Sequence, residues 1–342
     1  MNITHITFNL RTGGAETMMI DIINRQVLTD TPTLLLINEG HEDGLLSSIA
    51  PEVKVVQLHR PQGSKNPIWI WKLFSAIRAT RPDVVHIHNA RALGMLYGPK
   101  PFHTVYTYHC INDVNRWSRR ADTLCSISEA VRADVENRGE GLSEIVFNGI
   151  DAGAITRRHE RGLGKPTRIV QIGSLKHEIK GQDLSIEALA LISDKNVEID
   201  FIGDGPDMEM LEHMAAVLGV GKRVHFLGRL SRKEIYSCLG DYDLALLPSR
   251  SEGFGLALAE PMAAGVPVIA SALPGPLEVL GGGRLGATFP AGDAPELAKA
   301  IENILASYDT ALLRAAQAED FVAKNFDISS TVKAYKEIYK RH

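Results

Sequence analysis

The chain has 342 residues, of which 44% are hydrophobic and 23% are charged, with a formal net charge of −4. These values are typical of folded globular proteins and exclude a disordered or fibrous chain, and the length fits two domains of ordinary size. The small net charge argues against nucleic acid as the main partner.

Cysteine usage and the N-terminus indicate the compartment. The three cysteines, Cys110, Cys125 and Cys238, are odd in number and show no CxxC spacing. Neither a disulfide framework nor a zinc site is therefore expected. The first residues lack the basic flank and apolar stretch of a signal peptide, and no apolar run approaches the length of a membrane span. We expect a cytoplasmic protein.

The first predicted strand, Ile3 to Phe8, runs into a turn with adjacent glycines, Gly13 and Gly14, and then into a helix. The glycines let the backbone approach a ligand closely. Their spacing differs from the GxGxxG of dinucleotide-binding proteins. The turn has two interpretations, a tight connection alone or a ligand contact.

A helix predicted over residues 67–78 is rich in aromatic and basic groups. They include Trp69, Trp71, Lys72, Phe74 and Arg78. Aromatic side chains on such a helix can pack inward into the core, or they can contact an anionic membrane surface.

His86 and His88 alternate along a predicted strand and therefore share one of its faces. The spacing could suit a metal, but no cysteine or acidic cluster accompanies it, and no metal site is expected. The next strand, Val105 to Tyr108, delivers His109 at its carboxyl end. Open α/β folds place ligand-binding groups at that position.

A basic cluster follows, formed by Arg116, Arg119 and Arg120 beside Trp117. It is either a solvated surface or a contact for an acceptor that carries phosphate. A polar, Gly-containing stretch then ends at Pro166 and has the composition of a linker. We accordingly predict a first domain over residues 1–160, a second over 166–322 and a C-terminal helical segment over 323–342.

Strand and helix patterns also alternate in the second half, which indicates a second parallel sheet. The stretch from Asp243 to Ser271 reads as strand, loop, helix and strand. Its helix is apolar nearly all round, yet it carries Glu260 without a lysine or arginine on the same helix. A buried carboxylate is costly unless it is hydrogen-bonded, and the hydroxyls of a ligand would satisfy it.

Glu252 lies in the Gly-rich loop where this helix begins. A helix N-terminus offers free backbone N–H groups and a positive dipole end, which suit phosphate. Here those groups belong to residues 253–256. A carboxylate for hydroxyls, amides for phosphate and a second carboxylate beside them indicate a nucleotide-sugar pocket. The alternative is that Glu252 caps the helix and Glu260 reaches solvent.

The E-x7-E motif from Glu252 to Glu260, with Pro261 and the following AAGVPV, closely resembles the retaining glycosyltransferases of family 4. Residues 148–151 (NGID), 203–206 (GDGP) and 274–278 (PGPLE) resemble further turns of that family. The resemblance implies the GT-B fold. That fold has two α/β Rossmann-like domains with parallel sheets that face each other across a cleft, and a C-terminal helix that crosses back to the first domain.

The resemblance also implies residue roles. Glu260 would hold the ribose hydroxyls, Glu252 the donor-sugar hydroxyls, and His109 would lie beside the anomeric carbon. The other implied donor contacts are Lys180 and the amides of Gly253, Phe254, Gly255 and Leu256 for the diphosphate, Gly13 and Gly14 for the same group, and Gly203, Gly228, Arg229 and Leu230 near the base.

The implied activity is a retaining, metal-independent glycosyl transfer without a cofactor. The donor would be a nucleotide sugar, UDP first and GDP next. The acceptor would be a hydroxyl of a glycan or lipid-linked oligosaccharide in bacterial surface polysaccharide assembly, at the inner face of the cytoplasmic membrane. Ser174 departs from the family, which has an arginine there for the diphosphate. Two alternatives stay open, a silent nucleotide-sugar-binding partner and a nucleotide-sugar 2-epimerase of the same fold.

Overall fold

The computed structural model describes residues 1–11, 13–159 and 162–341. Thr12 of the predicted Gly-rich turn, Glu160 and Arg161 of the predicted linker, and the terminal His342 lie outside the described residues. The chain divides into two compact units. One comprises Met1–Gly149 together with Ile328–His342, and the other comprises Ile150–Asp327.

The first unit is an α/β layer structure. Its strands are β1 (Asn2–Thr7), β2 (Thr31–Asn38), β3 (Lys54–Arg60), β4 (Val84–Ile87), β5 (His103–Tyr108), β6 (Thr123–Ser126) and β7 (Glu144–Ile145). Within Met1–Gly149 its helices are α1 (Gly14–Gln26), α2 (Asp43–Ser47), α3 (Ile68–Thr80), α4 (Ala90–Met95) and α5 (Glu129–Asn137). In the described part of the chain the strands form one parallel sheet of seven, ordered β3-β2-β1-β4-β5-β6-β7.

The second unit repeats this plan. Its strands are β8 (Thr167–Ile172), β9 (Val197–Ile202), β10 (Val224–Gly228), β11 (Leu244–Leu247), β12 (Val268–Ser271) and β13 (Ala287–Phe289). Its helices are α6 (His177–Lys180), α7 (Gln182–Leu191), α8 (Met208–Val217), α9 (Arg232–Cys238), α10 (Leu256–Ala263), α11 (Pro274–Val279), α12 (Ala294–Ala306) and α13 (Tyr308–Asn325). The described strands form a six-stranded parallel sheet, ordered β10-β9-β8-β11-β12-β13.

The central strands have the sequence character of parallel sheets covered on both faces. Residues 34–37 of β2 and 244–247 of β11 are continuous apolar runs, and all eight side chains are buried. The strand order reverses between β1 and β4 in the first sheet and between β8 and β11 in the second. Open α/β sheets bind ligands at the carboxyl ends of the strands at such a reversal. The predicted class, two parallel α/β sheets, is confirmed.

The last helix, α14 (Ile328–Tyr339), belongs to the first unit, as predicted. Lys336 Nζ lies 2.8 Å from a carboxylate oxygen of Asp30, whose side chain is only 2% exposed. Thr331 donates to the carbonyl oxygen of Phe147 at 2.8 Å, and the hydroxyl of Tyr339 lies 2.7 Å from His86 Nδ1. Buried polar partners therefore fix α14 to this unit.

The boundary lies at Gly149–Ile150 and not over residues 160–166, so the predicted linker is wrong. The contacts of Arg158 explain why the boundary between the units lies before this residue. Its backbone N–H donates to Ala264 at 2.8 Å and its guanidinium lies 2.7 Å from the Asp243 carboxylate, with both side chains almost fully buried. The predicted start of the C-terminal segment at residue 323 also moves, because α13 continues to Asn325 in the second unit.

Candidate active site

The predicted donor residues of the second unit lie at one edge of its sheet. Gly173 and Ser174 follow β8, Gly203 follows β9, Arg229 follows β10 and Glu252 follows β11. These four strands are neighbours, and β8 and β11 flank the reversal of strand order. Side chains that are far apart in the sequence therefore come together where this type of sheet binds ligands.

An ion pair links the lysine of one loop to the carboxylate of another. Lys180 Nζ lies 2.8 Å from Glu252 Oε2, with side chains 26% and 15% exposed. Gly181 makes this approach possible, because it has a φ of +69° and a Cβ there would lie 2.1 Å from the carbonyl oxygen of Pro248. The Arg250 N–H also donates to the carbonyl of Ile179 at 2.8 Å, which ties the two loops together.

Gly255 is the N-cap residue of helix α10 and has a φ of +114°. As a glycine it has no side chain to cap the helix. Phe254 anchors the preceding loop, since it is 2% exposed and its ring packs edge-to-face on Phe326 at 5.1 Å. The loop that carries the predicted phosphate-binding amides is thus held by an aromatic contact in the core.

Glu260 is buried, with 8% of its surface exposed, so the alternative in which it reaches solvent is wrong. Its own helix supplies no basic residue, but another helix does. Arg232 Nη2 lies 3.6 Å from Glu260 Oε1, and the hydroxyl of Tyr236 lies 3.4 Å from the same oxygen. Both partners come from α9. Both distances are long for a hydrogen bond or an ion pair.

Gly203, predicted to lie near the base, has a clear structural role. Its φ is +143°, and a Cβ would lie 2.0 Å from the carbonyl oxygen of Gly173, so only glycine fits this crossing of two loops. Gly228 has a φ of +69° with no atom within 4 Å of a Cβ. The next residue, Arg229, pairs with Asp204 at 3.1 Å, and both side chains are exposed. Contact of these turns with a base stays a prediction.

Ser174 is exposed, and its carbonyl oxygen accepts a hydrogen bond from Gln182 Nε2 at 2.9 Å. Lys176, which could supply the cation that Ser174 lacks, is exposed at the start of α6. Arg250 is committed elsewhere, since its guanidinium lies 2.8 and 2.7 Å from the two carboxylate oxygens of Asp183.

In the first unit His109 is one end of a hydrogen-bonded series that we call the histidine chain, formed by Gln26, His5, His88 and His109. Gln26 Oε1 lies 2.7 Å from His5 Nε2. His5 Nδ1 lies 2.9 Å from His88 Nε2, and His88 Nδ1 lies 3.0 Å from His109 Nε2. The parallel register of β1 and β4, which sets His5 opposite His86, and the neighbouring end of β5 bring these rings together.

His86 lies beside this chain but bonds to other groups. Its Nδ1 faces the Tyr339 hydroxyl at 2.7 Å and its Nε2 faces the Thr107 hydroxyl at 2.8 Å. Nitrogen atoms of His5, His86 and His88 lie within 4.8 Å of one another, a spacing that could hold a metal ion. All six ring nitrogens already have hydrogen-bond partners, so the histidines satisfy one another without requiring a metal.

Burial keeps these imidazoles neutral. Desolvation lowers the pKa of His5 to about 4, although the hydrogen bond to Gln26 acts in the opposite direction, and it lowers the pKa of His109 to about 4. The pKa values of His86 and His88 are also well below the usual 6.5, first through burial and then through repulsion by neighbouring rings.

The remaining predicted residues of the first unit are placed as follows. Gly13 precedes α1 with an extended backbone, and Gly14 begins the helix. Arg116 and Arg119 are exposed, and the guanidinium of Arg116 covers the Trp117 ring at 4.3 Å. Arg120 has a structural role, because its Nη1 donates to the carbonyl oxygen of Gly94 at 2.8 Å and its guanidinium covers the Tyr97 ring at 4.2 Å.

Sequence reasoning missed four residues of these arrangements, Arg232, Tyr236, His5 and Gln26. The alternation of His86 and His88 was the visible signal for the histidine chain. His5 and Gln26 carry no motif, and only the strand register and the packing of α1 reveal them.

Two families match the chain over consecutive ranges. The family described as "Glycosyltransferase Family 4" matches residues 12–153, and the family described as "Glycosyl transferases group 1" matches residues 155–320. The chain is 28% identical over 288 residues to the glycogen synthase of Mycobacterium tuberculosis, covering 77% of this chain and 69% of the relative. It is 24% identical over 342 residues to the lipopolysaccharide core biosynthesis glycosyltransferase LpsE of Rhizobium meliloti, covering 99% and 98%.

Solved structures share the fold over the full length. A structure of Anabaena HepE in complex with UDP-glucose superposes with a TM-score of 0.86 at 21% identity and covers 99% of each chain. The lipopolysaccharide outer core galactosyltransferase WaaB superposes with a TM-score of 0.76 at 20% identity and covers 100% of each chain.

The buried histidines predict a loss of stability in mild acid. Their folded-state pKa values lie below the unfolded value of about 6.5, so the stabilisation is complete above pH 6.5 and is lost progressively as the pH falls to about 4. Each ring should lower the free energy of unfolding by about 1.4 kcal/mol per pH unit in that window. Urea unfolding at pH 7.5, 6.5 and 5.5, above the range where most carboxylates titrate, measures the effect.

The exposed His213 of α8 provides the control. The variant His213→Gln should keep the same pH dependence as the natural protein. A free energy of unfolding that is constant from pH 7.5 to 5.5 would contradict the burial of neutral histidines.

Proposed function

Because the chain belongs to the glycosyltransferases of family 4, we propose that it transfers a sugar from a nucleotide-sugar donor with retention of configuration and without a metal ion. The donor is a UDP-sugar first and a GDP-sugar next. The acceptor is a hydroxyl of a glycan or lipid-linked oligosaccharide, in bacterial surface polysaccharide or glycoconjugate assembly. Relatives that act in lipopolysaccharide synthesis support this setting.

The observation that carries the proposal is the Lys180–Glu252 ion pair at the reversal of the second sheet. The pair positions one cation and one carboxylate within 2.8 Å of each other at the start of α10. A donor presents a negatively charged diphosphate next to a ring with several hydroxyls. A cation beside a carboxylate is complementary to that pair of groups. In the proposed complex Lys180 binds the diphosphate and Glu252 accepts hydrogen bonds from the sugar.

Glu260 completes the donor site. It is buried eight residues after Glu252, about one turn into α10, where Arg232 and Tyr236 of α9 approach its carboxylate. We assign it to the ribose hydroxyls, with Gly203 and Gly228–Leu230 near the base. Lys180 and the amides of residues 253–256 stabilise charge on the departing diphosphate, an effect that grows in the transition state. Gly13, Gly14 and His109 are the proposed donor contacts of the first unit.

Substitutions of the two glutamates and the lysine should have different kinetic signatures. Glu252→Gln should lower kcat/KM for the donor by about tenfold to hundredfold, through loss of charge-assisted hydrogen bonds. Glu260→Gln should act mainly on the donor KM, and Lys180→Met mainly on kcat, since leaving-group charge develops in the transition state. Steady-state kinetics with UDP-, GDP- and ADP-sugars in the presence of EDTA measures these effects. The anomeric configuration of the product tests whether the transfer retains configuration.

Glu319→Gln is the matched control, because Glu319 also forms an ion pair, with Arg157 at 2.9 Å, but lies on α13. It should leave the kinetics unchanged. Turnover of Glu252→Gln near the natural value would refute the role of that carboxylate. Donor binding without transfer to any acceptor would favour the silent partner, and a donor isomerised at C2 would favour the epimerase.

We propose the exposed Arg116 and Arg119 as contacts for phosphate of the acceptor. Arg119→Ala and Arg116→Ala should raise the acceptor KM by about tenfold, the value of one charge-assisted contact, with little change in kcat. Arg120→Ala should instead lower the melting temperature, since Arg120 supports the carbonyl end of α4. An unchanged acceptor KM in both exposed-arginine variants would refute the assignment.

We also propose peripheral contact of α3 with anionic lipid. No helix within the described ranges is long and apolar enough to cross a membrane. Trp71 and Ile68 are 68% and 47% exposed, and Lys72 lies over the Trp69 ring at 4.2 Å, a combination that suits an interface. Trp71→Ser should reduce co-sedimentation with phosphatidylglycerol vesicles, whereas Leu313→Ser, at an equally exposed position of α13, should not. Equal binding of both variants would contradict the proposal.

A further inference from the structure

The hydrogen bonds of the histidine chain couple the tautomers of its rings. A neutral imidazole carries one N–H and one lone pair, so it donates from one nitrogen and accepts at the other. In a series of N···N hydrogen bonds every ring must therefore point the same way. The contacts His5 Nδ1–His88 Nε2 and His88 Nδ1–His109 Nε2 form such a series, in which the proton position on one ring determines it on the next.

Gln26 determines the direction. Its Oε1 faces His5 Nε2 at 2.7 Å, and a carbonyl oxygen can only accept, so His5 carries its proton on Nε2. His5 Nδ1 then accepts from the Nε2–H of His88, and His88 Nδ1 accepts from the Nε2–H of His109. Gln26 is 1% exposed and the rings of the chain are buried or half-buried, so water offers little competition for these bonds.

We propose that Gln26 is a positioning residue that, through His5 and His88, fixes His109 as the Nε2–H tautomer and leaves Nδ1 of His109 as a hydrogen-bond acceptor. This Nδ1 is the one ring nitrogen of the chain that lacks a hydrogen-bond partner among the described residues, although it is buried. A buried polar atom without a partner is unusual in a folded protein and indicates a group that binds there.

The kind of group that His109 would bind in a ligand is an inference that rests on the proposed function. An acceptor nitrogen on His109 suits a hydroxyl of the donor sugar, which supplies the proton of the hydrogen bond. The other tautomer would present an N–H and would instead favour a carbonyl or phosphate oxygen. Gln26 thereby selects the chemical class that His109 recognises, without contacting the ligand itself.

Nuclear magnetic resonance of the ligand-free protein tests the assignment directly. Long-range ¹H–¹⁵N correlation of the histidine rings shows which nitrogen carries the proton, and loss of signals in His109→Asn identifies His109. We expect protonated Nε2 on His5, His88 and His109 at pH 7.5. A protonated Nδ1 on His109 would overturn the inference, whatever the activity of the protein.

Gln26→Leu removes the acceptor at the end of the chain while keeping an apolar volume of similar length. His88 and His109 should then populate both tautomers, and the difference between the shifts of their two ring nitrogens should fall by at least half. Tyr335→Phe is the control. It removes a buried hydroxyl that lies 3.0 Å from Thr107 Oγ1, next to His86 but outside the histidine chain, and should leave the spectra of the chain unchanged.

Kinetics separates this inference from the proposed function. With UDP-glucose, or the donor that proves active, Gln26→Leu should lower kcat/KM by about tenfold, and Tyr335→Phe should keep it. Equal losses in both variants would indicate a general effect on packing and would contradict a role for the tautomer. Absence of transfer with every donor would refute the proposed function alone, because the tautomers are measured without ligand. An unchanged His109 tautomer in Gln26→Leu would refute the role of Gln26.

Discussion

The candidate donor site depends on the close backbone approach of Gly181 to Pro248. A side chain at Gly181 would place its Cβ 2.1 Å from the Pro248 carbonyl oxygen, so this crossing of two loops requires glycine. The crossing sets α6 against the loop after β11 and lets the Arg250 N–H bond to Ile179. Lys180, the residue before the glycine, consequently reaches Glu252. The ion pair is a product of backbone packing and not of two flexible side chains meeting on a surface.

The two glutamates of this site could be predicted from sequence because they are local. Glu252 and Glu260 lie on one short loop and helix, and the residue pattern alone shows an apolar helix that carries a carboxylate. The partners of Glu260 could not be predicted. Arg232 and Tyr236 precede it by more than twenty residues, and only the packing of α9 beside α10 brings them near. For the same reason the sequence predicts Arg158 in the first domain, since nothing in the residues around it indicates its contact with the buried Asp243.

The histidine chain is a second case in which contacts between distant residues could not be predicted from the sequence. Period-two alternation places His86 and His88 on one face of β4, which the sequence shows directly. Their bonding depends on which strands flank β4, and that order follows from the topology of the whole sheet. Because β1 lies on one side and β5 on the other, His5 and His109 join the group from opposite directions. The fold class was therefore predictable, whereas the network that connects α1 to His109 was not.

The two units hold their ionisable groups in different environments. In the second unit Lys180 and Glu252 are charged groups at partly exposed positions, where the opposite charges offset each other. The first unit encloses the rings of His5, His86, His88 and His109, and this burial keeps them in the neutral form at neutral pH. Glycosyl transfer develops positive charge at the ring carbon of the sugar, and an imidazolium close to that carbon would oppose it. In the proposed complex a neutral His109 avoids this repulsion, and an acceptor nitrogen at Nδ1 would present its lone pair, the negative end of the ring dipole, to the sugar. Burial supplies the neutral ring and, in the role proposed above, Gln26 fixes its tautomer, so neither effect requires Gln26 to contact the substrate.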